Sequence, residues 1–459
     1  MPTPSHQFVI LAAGQGKRMH SARPKILHAL AGKPLVAHAI DAARATRPLA
    51  IAVVIGHGAQ AAEGALAAGD LAFVRQDPPR GTGDAVRCAL DALPHDGVTV
   101  VANGDCPLIP PETFAALAAD AAHGRLALLT ARVPDPAGLG RIVRADDGSV
   151  RAIVEDRDAS DAERAIDEIY TGALAAPTAL LAAWVAKLTP HNAQGEFYLT
   201  DVVAMALADG VPVAATLADD ADVARGVNDR AQLAAAERIV QRRRAEALMR
   251  AGTTIADPSR IDIRGTLDAA NDTFIDVGCV FEGKVTLAVG ATIGPYCVLR
   301  DTSVGANTEI QAYSHLDGAT IGAGARIGPF ARLRPGAVLA DDVHIGNFVE
   351  VKAASLGPRS KANHLAYIGD ASLGADVNFG AGSITANYDG ANKHRTTIGD
   401  DVHVGSNCVL VAPIEVGAGA TIGGGSTITG GAPAGELTLT RAKQVTVAGW
   451  KRPRKKKPA

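Results

Sequence analysis

The chain has 459 residues, of which 47% are hydrophobic and only 4% aromatic, with a formal net charge of −3. This length exceeds one ordinary core and predicts two domains with a connector. The nearly balanced charge gives no reason to expect nucleic acid or a membrane as a partner, and the five scattered cysteines form no CxxC pair, so they indicate neither a disulfide framework nor a zinc cluster.

The N-terminal region has one short apolar run, residues 8–13, without the basic start of a signal peptide. No stretch approaches the ~20 apolar residues that a membrane span needs. We therefore expect a soluble protein in a reducing, cytoplasmic setting.

The first half alternates between strand-like and helix-like segments. Residues 8–11, 51–55, 98–102 and 126–131 are apolar throughout, which is typical of strands buried on both faces of a parallel sheet. Predicted helices over 83–93 and 111–122 lie between them and give βαβ units. Asp146-Asp147-Gly148 predicts a hairpin turn between strands at 141–144 and 150–154. This half is therefore predicted to be α/β.

A glycine-containing loop follows the first predicted strand. Gly14 and Gly16 let the backbone approach a phosphate and hold it with N–H groups. The third glycine of a dinucleotide fingerprint would fall at Met19, so NAD-type binding is not expected. Arg18 and Lys25 add positive charge. Taken alone, the segment is equally compatible with an ordinary βα turn.

Two further segments of the first half carry chemistry. Gln76 and the run Gly81-Thr82-Gly83 occupy a predicted loop that opens a helix, a place for anion or nucleobase contacts. Asp105 follows the strand at 98–102, and a carboxylate at the carboxyl end of a strand is a natural Mg²⁺ ligand. A simple turn role for Asp105 is an equally good interpretation of that residue alone.

A connector and a six-residue repeat make up the rest of the chain. Residues 229–249 predict a helix with Asn228 as its N-cap. The predicted limits are thus 1–229 for the first domain, 230–251 for a helical linker and 252–459 for the second domain. In that domain aliphatic residues recur at every sixth position, namely Ile321, Ile327, Leu333, Leu339, Ile345 and Val351, and again Ile398, Val404, Leu410, Val416, Ile422 and Ile428.

This period predicts a hexapeptide parallel β-helix, in which each hexad forms one side of a coil and its aliphatic residue points inward. Residues 355–366 break the rhythm, and we expect them to form a loop that leaves one face. The basic residues 451–459 favour a disordered solubilising tail over a nucleic-acid-binding arm, because no aromatic residue interleaves them.

Polar residues that an aliphatic stack does not need gather around this break: Arg334, Glu350, Lys352, His364, Tyr367, Asn378, Asn387, Tyr388, Asp389 and Lys393. Acyl transfer to an amine needs a base near neutral pH, which histidine supplies.

The first-half motifs resemble those of the sugar-nucleotide pyrophosphorylases: Leu11-Ala12-Ala13-Gly14-x-Gly16-x-Arg18, Lys25 after proline, Gln76, Gly81-Thr82 and Gly104-Asp105. Together with Asn347–Lys352, His364–Tyr367 and Asn387–Gly390, the match is closer to the bifunctional N-acetylglucosamine-1-phosphate uridyltransferase/glucosamine-1-phosphate acetyltransferases, over nearly the whole chain and in the same domain order.

The resemblance implies a Rossmann-like α/β nucleotidyltransferase domain followed by a left-handed parallel β-helix of hexapeptide repeats. It implies acetyl-CoA-dependent N-acetylation of glucosamine-1-phosphate, then uridylyl transfer from UTP to N-acetylglucosamine-1-phosphate with release of pyrophosphate. The resemblance also implies that the product feeds peptidoglycan and lipopolysaccharide precursors. It further implies Mg²⁺ as cofactor and a homotrimer.

The resemblance also assigns residues. It implies that UTP and the UDP-sugar contact Leu11, Ala12, Ala13, Gly14, Arg18, Lys25, Gln76, Gly81, Thr82, Asp105, Gly140, Glu155 and Asn228, with Asp105 and Asn228 as Mg²⁺ ligands. In the second domain it implies His364 as general base, Glu350 as the residue that orients it, Arg334, Lys352, Tyr367 and Asn378 for the sugar phosphate, and Ala381, Asn387, Tyr388, Ser406, Gly424 and Arg441 for acetyl-CoA. The sequence departs from the family at Tyr170, where asparagine is usual, and at Gly424, where alanine is usual.

Two alternatives remain open at this point. A single-function sugar-1-phosphate nucleotidyltransferase would use the β-helix only for assembly or regulation. An RNA-binding or scaffolding protein would depend on the basic tail alone.

Overall fold

The computed structural model describes residues 5–56, 58–66 and 69–455. The chain divides into two compact units, one up to Arg243 and one from Arg244 onward. The helix Arg230–Arg250 includes this boundary. The predicted limits at 229 and 252, with a separate linker, stay a prediction. The last four residues of the predicted basic tail, 456–459, lie outside the described residues.

A seven-strand path runs through the sheet of the first unit, and all four strands expected from apolar runs are in it. From one edge to the other its order is Val213–Leu217, Leu126–Arg132, Glu168–Pro177, Val98–Asn103, His6–Ala12, Ile51–Ile55 and Leu71–Arg75. Phe8 and Ile10 are buried in a hydrophobic cluster on one face, while Val9 is buried in the cluster on the other. The apolar runs are therefore explained by burial on both faces.

Helices cover both faces of this sheet. They are Leu35–Ala45, Ala59–Leu66, Thr82–Leu90, Pro111–Ala122, Asp161–Arg164, Thr178–Val185 and Val202–Ala208. Short 3₁₀ turns lie at Lys17–Met19, Lys25–Leu27, Leu199–Asp201 and Ala221–Ala224. Phe114 packs into the cluster on one face and Val86 into the cluster on the other.

The sheet is mixed rather than wholly parallel, which differs from the expectation. The strand Glu168–Pro177 lies between Val98–Asn103 and Leu126–Arg132 and is antiparallel to both. Its residues are apolar over most of their length, and an apolar run does not reveal strand direction. Because of this direction, Tyr170 lies near the edge at which Asn103 ends its own strand. The predicted hairpin Arg141–Arg144/Val150–Val154 forms and pairs with the same strand.

The connector helix begins at Arg230, one residue later than predicted. Asp229 Oδ1 accepts a hydrogen bond from the backbone N–H of Gln232, so Asp229 caps the helix. The prediction of Asn228 as N-cap is therefore wrong. The Asn228 side chain instead accepts a hydrogen bond from Lys25.

The second unit is a parallel β-helix with three strands per coil. Its first face is an eleven-stranded sheet consisting of Thr254–Ile255, Phe274–Ile275, Thr292–Ile293, Glu309–Ile310, Arg326–Ile327, His344–Asn347, Lys361–His364, Asn378–Phe379, His403–Val404, Thr421–Ile422 and Leu437–Thr438.

One continuous sheet makes the other two faces, and the long strands Ile261–Ala269 and Cys279–Leu287 belong to both. The second face contains Val298–Arg300, His315–Asp317, Arg332–Leu333, Glu350–Lys352, Tyr367–Gly369, Ile384–Ala386, Val409–Val411 and Thr427–Ile428. The third face contains Ser303–Val304, Thr320–Ile321, Val338–Leu339, Ser355–Leu356, Ala371–Leu373, Thr396–Ile398 and Ile414–Val416.

The three faces enclose a prism, and every aliphatic residue of the predicted six-residue period is buried inside it. On the first face, for example, Ile327 pairs with Ile345 one coil further along. Each buried aliphatic side chain contributes roughly 1.5–3 kcal/mol relative to exposure. The stack of inward-pointing residues is therefore the core of the unit, as the period predicts.

The break at 355–366 is not a loop, so that expectation is wrong. These residues form regular strands, and the coil that separates Leu339 from Leu356 is only one residue shorter than the coil that separates Ile321 from Leu339. A shortened corner shifts the phase of the period without leaving the prism. The insertion lies further on, where Ala371 pairs with Thr396 across 25 residues (396 − 371). It consists of residues 387–395, here called the 387–395 loop.

Candidate functional site

Three adjoining cavities of about 530, 340 and 240 Å³ form one cleft in the first unit, at the carboxyl ends of the strands His6–Ala12 and Val98–Asn103. The cleft is lined by every residue assigned to UTP and the UDP-sugar: Leu11, Ala12, Ala13, Gly14, Arg18, Lys25, Gln76, Gly81, Thr82, Asp105, Gly140, Glu155 and Asn228. The structure thus brings this predicted set together.

The glycine loop approaches Lys25 closely. Gly16 has φ of 62°, and a Cβ atom at this position would meet Cβ of Lys25 at 2.5 Å. Any larger residue would displace Lys25, so glycine is needed here for both reasons. A Cβ atom on Gly14 would meet nothing within 4 Å, so the backbone at Gly14 is open to a ligand.

Lys25 joins the two predicted metal ligands. Its ammonium group donates to Asp105 Oδ2 at 2.5 Å and to Asn228 Oδ1 at 3.0 Å. A backbone hydrogen bond from Val227 to the Asp105 carbonyl, at 2.9 Å, holds the two segments together. Two oxygen ligands therefore face one positively charged group in the cleft.

Gln76 has a fixed orientation beside this cleft. Its amide nitrogen donates to the Gly81 carbonyl at 3.0 Å and to Asp84 at 2.8 Å, so the amide oxygen is the group left to accept from a ligand. Gly81 has φ of 111°, and a Cβ atom there would meet the Phe197 carbonyl oxygen at 2.6 Å. Thr82 Oγ1 accepts from the Leu199 N–H at 3.1 Å.

Glu155 lies deeper in the cleft. Thr200 donates to its carboxylate at 3.2 Å, and burial raises the pKa of Glu155 above its usual value. Gly140 lies beside it, because a Cβ atom on Gly140 would stand 3.6 Å from Glu155 Oε2. A carboxylate in this position is suited to accept hydrogen bonds from sugar hydroxyl or amide groups.

The structure adds lining residues that were not assigned from the sequence. Asn103 lines two of the three cavities, and Thr200 and Tyr170 line the smallest. Asn103 lies against Gly172, where a Cβ atom would clash with its amide. Asn103 could have been predicted as a site residue from the sequence, because it ends a strand two residues before Asp105.

In the second unit, His364 ends a strand of the first face beside Asn347 on the preceding coil. His364 Nδ1 lies 2.9 Å from Asn347 Oδ1. Because an amide oxygen only accepts, this pairing places the ring proton on Nδ1 and leaves the lone pair on Nε2. The Glu350 carboxylate accepts a hydrogen bond from Arg334 at 2.8 Å. In this structure the side chain that contacts the His364 ring is Asn347, and an orienting role for Glu350 stays a prediction.

On the second face, charged side chains of successive coils form a column in which the sign of the charge alternates, and this alternation ends between Arg334 and Lys352. Arg264, Glu282, Arg300 and Asp317 follow one another in register with alternating charge. The next two positions, Arg334 and Lys352, are both positive. Glu350 and Asp370 each pair with one of these cations, and the two neighbouring positive groups can also bind an anionic ligand.

The 387–395 loop brings more groups to this pair of cations. Asp370 accepts from Lys352 Nζ at 3.2 Å and from Asn387 Nδ2 at 2.5 Å, and Asn387 also lies 3.4 Å from the Tyr367 hydroxyl. A side-chain hydrogen bond with Lys352, together with the charge of Lys352, lowers the pKa of Lys393, so the two side-chain nitrogens are close. Asp370 and Lys393 were given no role from the sequence. Both are charged, and both interact in the structure with Lys352, which was assigned to the sugar phosphate.

The loop itself is organised by Asp389. Its carboxylate accepts from the N–H groups of Ala391 and Asn392 at 2.8 and 2.7 Å and lies 2.7 Å from His394 Nε2. These hydrogen bonds hold the pKa of Asp389 well below its usual range. Tyr388 is exposed and forms an isolated bridge with Lys393.

The residues assigned to acetyl-CoA follow His364 along one column of the first face. The register of the strands places Ala381, Ser406 and Gly424 at successive coils in the column that contains His364. Arg441 donates to the Gly424 carbonyl at 3.3 Å. Asn387 and Tyr388 lie in the loop described above.

One assigned residue is on another face from its proposed companions. Asn378 begins a strand of the first face and lies 3.1 Å from His403. Arg334 and Lys352 lie on the second face. The structure of one chain therefore does not gather the whole sugar-phosphate set on one surface.

Comparison with known proteins gives the family. Residues 8–189 match the model of the MobA-like NTP transferase domain, 263–368 that of the GMPPB C-terminal domain, and 395–430 six repeats of the bacterial transferase hexapeptide. The bifunctional protein GlmU of Methylibium petroleiphilum is 56% identical over 458 residues, covering 98% of this chain and 99% of that protein. Those of Bordetella petrii and Burkholderia thailandensis are 56% and 55% identical, each covering 98% of this chain and 99% of its own length. The chain belongs to the GlmU family.

Membership in the GlmU family confirms the predicted family and fold, a nucleotidyltransferase domain followed by a left-handed hexapeptide β-helix. It also favours the bifunctional interpretation over a structural β-helix. At Gly424, a Cβ atom would meet the Ser406 carbonyl oxygen at 3.4 Å, an ordinary contact, so the alanine usual in the family fits there. Among the described helices, none is both long and apolar enough to cross a membrane.

The oxygen ligands of the first unit fit Mg²⁺. Within the described part of the chain no group of three or more His, Cys, Asp or Glu could hold a metal ion. Mg²⁺ nevertheless needs only one or two protein oxygens when substrate phosphates and water supply the rest. Asp105 and Asn228 are such a pair, since both reach the same ammonium group.

Proposed function

We propose that this GlmU family member makes UDP-N-acetylglucosamine in two steps, N-acetylation of glucosamine-1-phosphate in the second domain and uridylyl transfer in the first. The observation that carries the proposal is the presence of two separate polar sites, each in its own compact unit. One site has phosphate-binding backbone and paired oxygen ligands. The other has an oriented histidine next to clustered cations.

In the first domain, a phosphate oxygen of N-acetylglucosamine-1-phosphate attacks the α-phosphorus of UTP in line. The bond between the α-phosphorus and its bridging oxygen breaks, and pyrophosphate leaves. Lys25 and Arg18 stabilise the phosphate charge, while Gly14 offers its backbone N–H group. Asp105 and Asn228 would hold Mg²⁺, which supplies further positive charge at the phosphates.

Substrate selection in this domain follows from the remaining lining residues. The Gln76 amide oxygen is oriented to accept from a nucleobase, and Thr82 lies beside it. Gly140 and Glu155 contact the N-acetylglucosamine part from the deeper end of the cleft.

In the second domain, the amino nitrogen of glucosamine-1-phosphate attacks the thioester carbonyl of acetyl-CoA. His364 Nε2 takes the proton from that nitrogen, the C–S bond breaks, and the imidazolium returns the proton to the thiolate of CoA. Asn347 keeps the ring in the required tautomer. Arg334, Lys352 and Lys393 bind the sugar phosphate.

Acetyl-CoA extends from His364 along the column of Ala381, Ser406 and Gly424, with Arg441 at its far end. The small side chains of this column leave the backbone accessible. Asn387 and Tyr388 border the acyl group from the 387–395 loop.

The active form is a homotrimer in which neighbouring chains share each acetylation site. Asn378 and the pair Arg334 and Lys352 lie on different faces of one prism, so a neighbouring chain is needed to bring them together. The corner between these faces carries an apolar column that solvent reaches: Tyr296, Tyr313, Phe330, Phe348 and Leu365, each between 44% and 62% exposed.

This corner column is suited to a contact between copies of the chain. The four rings are stacked with centroids 5.1–5.4 Å apart. All five residues have positive φ between 50° and 60°, an uncommon conformation for bulky side chains. Leu365 directly follows His364, so a chain that covers the column also reaches the site. Closed symmetry would hide this surface without open-ended growth.

UTP and acetyl-CoA are cytoplasmic metabolites, which supports a cytoplasmic location. No nucleic-acid or membrane partner is part of the proposal. Two assays on the purified full chain test it: thiol release from acetyl-CoA with glucosamine-1-phosphate, and pyrophosphate release from UTP with N-acetylglucosamine-1-phosphate. Pyrophosphate release without thiol release would instead support the single-function nucleotidyltransferase.

A further inference from the structure

Lys393 lies close to residues assigned to acetyl-CoA. An isolated antiparallel bridge pairs it with Tyr388, and its amine is hydrogen-bonded to the amine of Lys352. Lys352 Nζ and Asn387 Nδ2 in turn donate to the same oxygen, Asp370 Oδ2, at 3.2 and 2.5 Å. The Lys393 amine is therefore near Asn387 and Tyr388, the two residues that border the acyl group in the proposed acetyl transfer.

The two lysine amines have different surroundings. They cannot both be protonated while they share a hydrogen bond, because an ammonium group only donates. Asp370 forms an ion pair with Lys352 and favours its protonated form. Within the described part of the chain no carboxylate forms an ion pair with Lys393, and the hydrogen bond from Lys352 lowers its pKa. Lys393 is therefore the member of the pair that supplies a neutral amine.

Lys393 is also within reach of the position at which the acetyl group is transferred. In glucosamine-1-phosphate the phosphate and the amino group are on adjacent carbon atoms, so a lysine that contacts the phosphate lies only a few ångströms from the acceptor nitrogen. Lys393 is exposed, and its four-carbon side chain is flexible. When the sugar phosphate is absent, the Lys393 amine can occupy the acceptor position.

We propose that Lys393 is a self-acetylation site, modified when acetyl-CoA is bound without the sugar phosphate. This inference rests on the proposed acetyl transfer. The Lys393 nitrogen attacks the thioester carbonyl, a C–N bond forms and the C–S bond breaks. The proton leaves the nitrogen through His364 and reaches the thiolate of CoA, as it does with the sugar. The products are N-acetyl-lysine and CoA, and no further reactant is needed.

Self-acetylation would reduce binding of the sugar phosphate. An acetylated lysine has no charge, so one of the three cations at the phosphate is lost. Bound glucosamine-1-phosphate protects Lys393, because its own amino group then occupies the acceptor position. The chain is thereby inactivated only when acetyl-CoA is present and the sugar phosphate is scarce.

Mass spectrometry of the full chain tests this inference. Incubation with acetyl-CoA alone should add one acetyl group, which peptide mapping should locate at Lys393, and saturating glucosamine-1-phosphate should suppress the addition. In the acetylated chain KM for glucosamine-1-phosphate should rise roughly tenfold, the effect of losing one hydrogen bond to a charged group, while KM for acetyl-CoA stays unchanged. In Lys393→Arg, the same incubation should leave the sugar KM unchanged.

Two controls separate transfer within the site from chemical acetylation by free acetyl-CoA. Lys284 is exposed on the strand Cys279–Leu287, several coils earlier in the same β-helix, and reports the chemical background in the same peptide map. His364→Ala should reduce acetylation of Lys393 roughly 10²–10⁴-fold and leave that of Lys284 unchanged.

The outcomes distinguish this inference from the proposed function. Acetylation of Lys393 only to the level of Lys284, equal acetylation in His364→Ala, or no protection by the sugar phosphate would each overturn the inference. Normal thiol release with glucosamine-1-phosphate from a chain whose Lys393 stays unmodified would overturn it alone. A wild-type chain that releases no thiol with glucosamine-1-phosphate would contradict the proposed acetyl transfer itself.

Discussion

Lys25 donates a hydrogen bond of 2.5 Å to Asp105, across 80 residues of sequence, in the cleft at the carboxyl edge of the first-unit sheet. The Asp105 side chain is 23% exposed and that of Lys25 only 9%. Asn228 accepts from the same ammonium group. This pairing connects the phosphate-binding loop, the end of a central strand and the start of the connector helix at one point.

Asp105→Asn should abolish most uridylyl transfer and spare acetylation. A neutral amide cannot replace the carboxylate charge, and metal-assisted charge stabilisation is worth several kcal/mol, so we expect a loss on the order of 100-fold or more. Pyrophosphate release measured against Mg²⁺ concentration checks this, with thiol release as the internal control. Normal turnover at low Mg²⁺ would show that Asp105 is only a turn residue.

His364→Ala should reduce acetyl transfer by roughly 10²–10⁴-fold, the usual effect of losing a general base, with uridylyl transfer unchanged. Asn347→Ala should cause a smaller loss, because it removes only the contact that sets the tautomer. Both variants are compared by thiol release and by pyrophosphate release on the same preparations. Equal loss of both activities in folded His364→Ala would refute the assignment.

Features of the fold that follow from a local sequence pattern were predicted, whereas features that depend on contacts between distant segments were missed. The six-residue period identified the β-helix because an inward aliphatic residue is required at each side of each coil. The nucleotide-end motifs line one cleft because they follow strands whose ends meet at one edge, whereas Gly140, Glu155 and Asn228 were expected there only from the family resemblance.

Other features of the structure cannot be predicted from any short segment of the sequence. The direction of the strand Glu168–Pro177 depends on its neighbours, which an apolar run does not reveal. The change of phase at 355–366 comes from a corner that is one residue shorter, whereas a protruding loop was expected. The contact between Asn347 and His364 depends on register between coils, so it is visible only in the structure.

Asp389→Ala should disorganise the 387–395 loop and with it the acetylation site. The carboxylate holds two backbone N–H groups and His394, and these bonds position Lys393 and Tyr388. Small misplacement of a binding group costs on the order of 100-fold in rate. Thiol release should fall by that factor while pyrophosphate release is retained.

Asp257→Ala is the matched control for this loop. Asp257 makes comparable turn bonds to Ser259 in an earlier part of the same β-helix. It should leave both activities unchanged. If Asp257→Ala and Asp389→Ala reduced acetylation equally, the effect would be one of general stability.

Glu155→Gln should stabilise the first domain at neutral pH and weaken sugar binding. The pKa of Glu155 is raised in the folded chain, so the unfolded chain releases this proton first. Folding stability therefore falls as pH rises above about 4.5, the region of the unfolded pKa. The variant lacks this loss, so its melting temperature should exceed that of wild type by a margin that grows until pH passes the raised pKa of the folded chain and is constant above it. KM for the sugar phosphate should rise roughly tenfold, since a charged acceptor is lost.

Glu163→Gln should show the opposite sign. Hydrogen bonds from Ser160 lower the pKa of Glu163, so its carboxylate contributes stability above the unfolded pKa and loses it as pH falls. This variant should be less stable than wild type at neutral pH and equal to it in acid. Parallel pH curves for the two variants would contradict both assignments.

The last prediction concerns assembly. Light scattering of the full chain should give the mass of a trimer, since the apolar column at the prism corner needs a partner.

Lys352→Ala and Asn378→Ala alter different faces of the prism, and each alone should lose most acetylation. If each site combines the second face of one chain with the first face of its neighbour, mixed trimers contain sites with both faces intact, about one in four for random exchange around a closed ring. Mixing the two variants under conditions of subunit exchange should then restore part of the thiol release, whereas mixing Lys352→Ala with Arg334→Ala, both on the second face, should restore none. A monomer with full acetylation, or no recovery in the first mixture after proven exchange, would exclude the shared site.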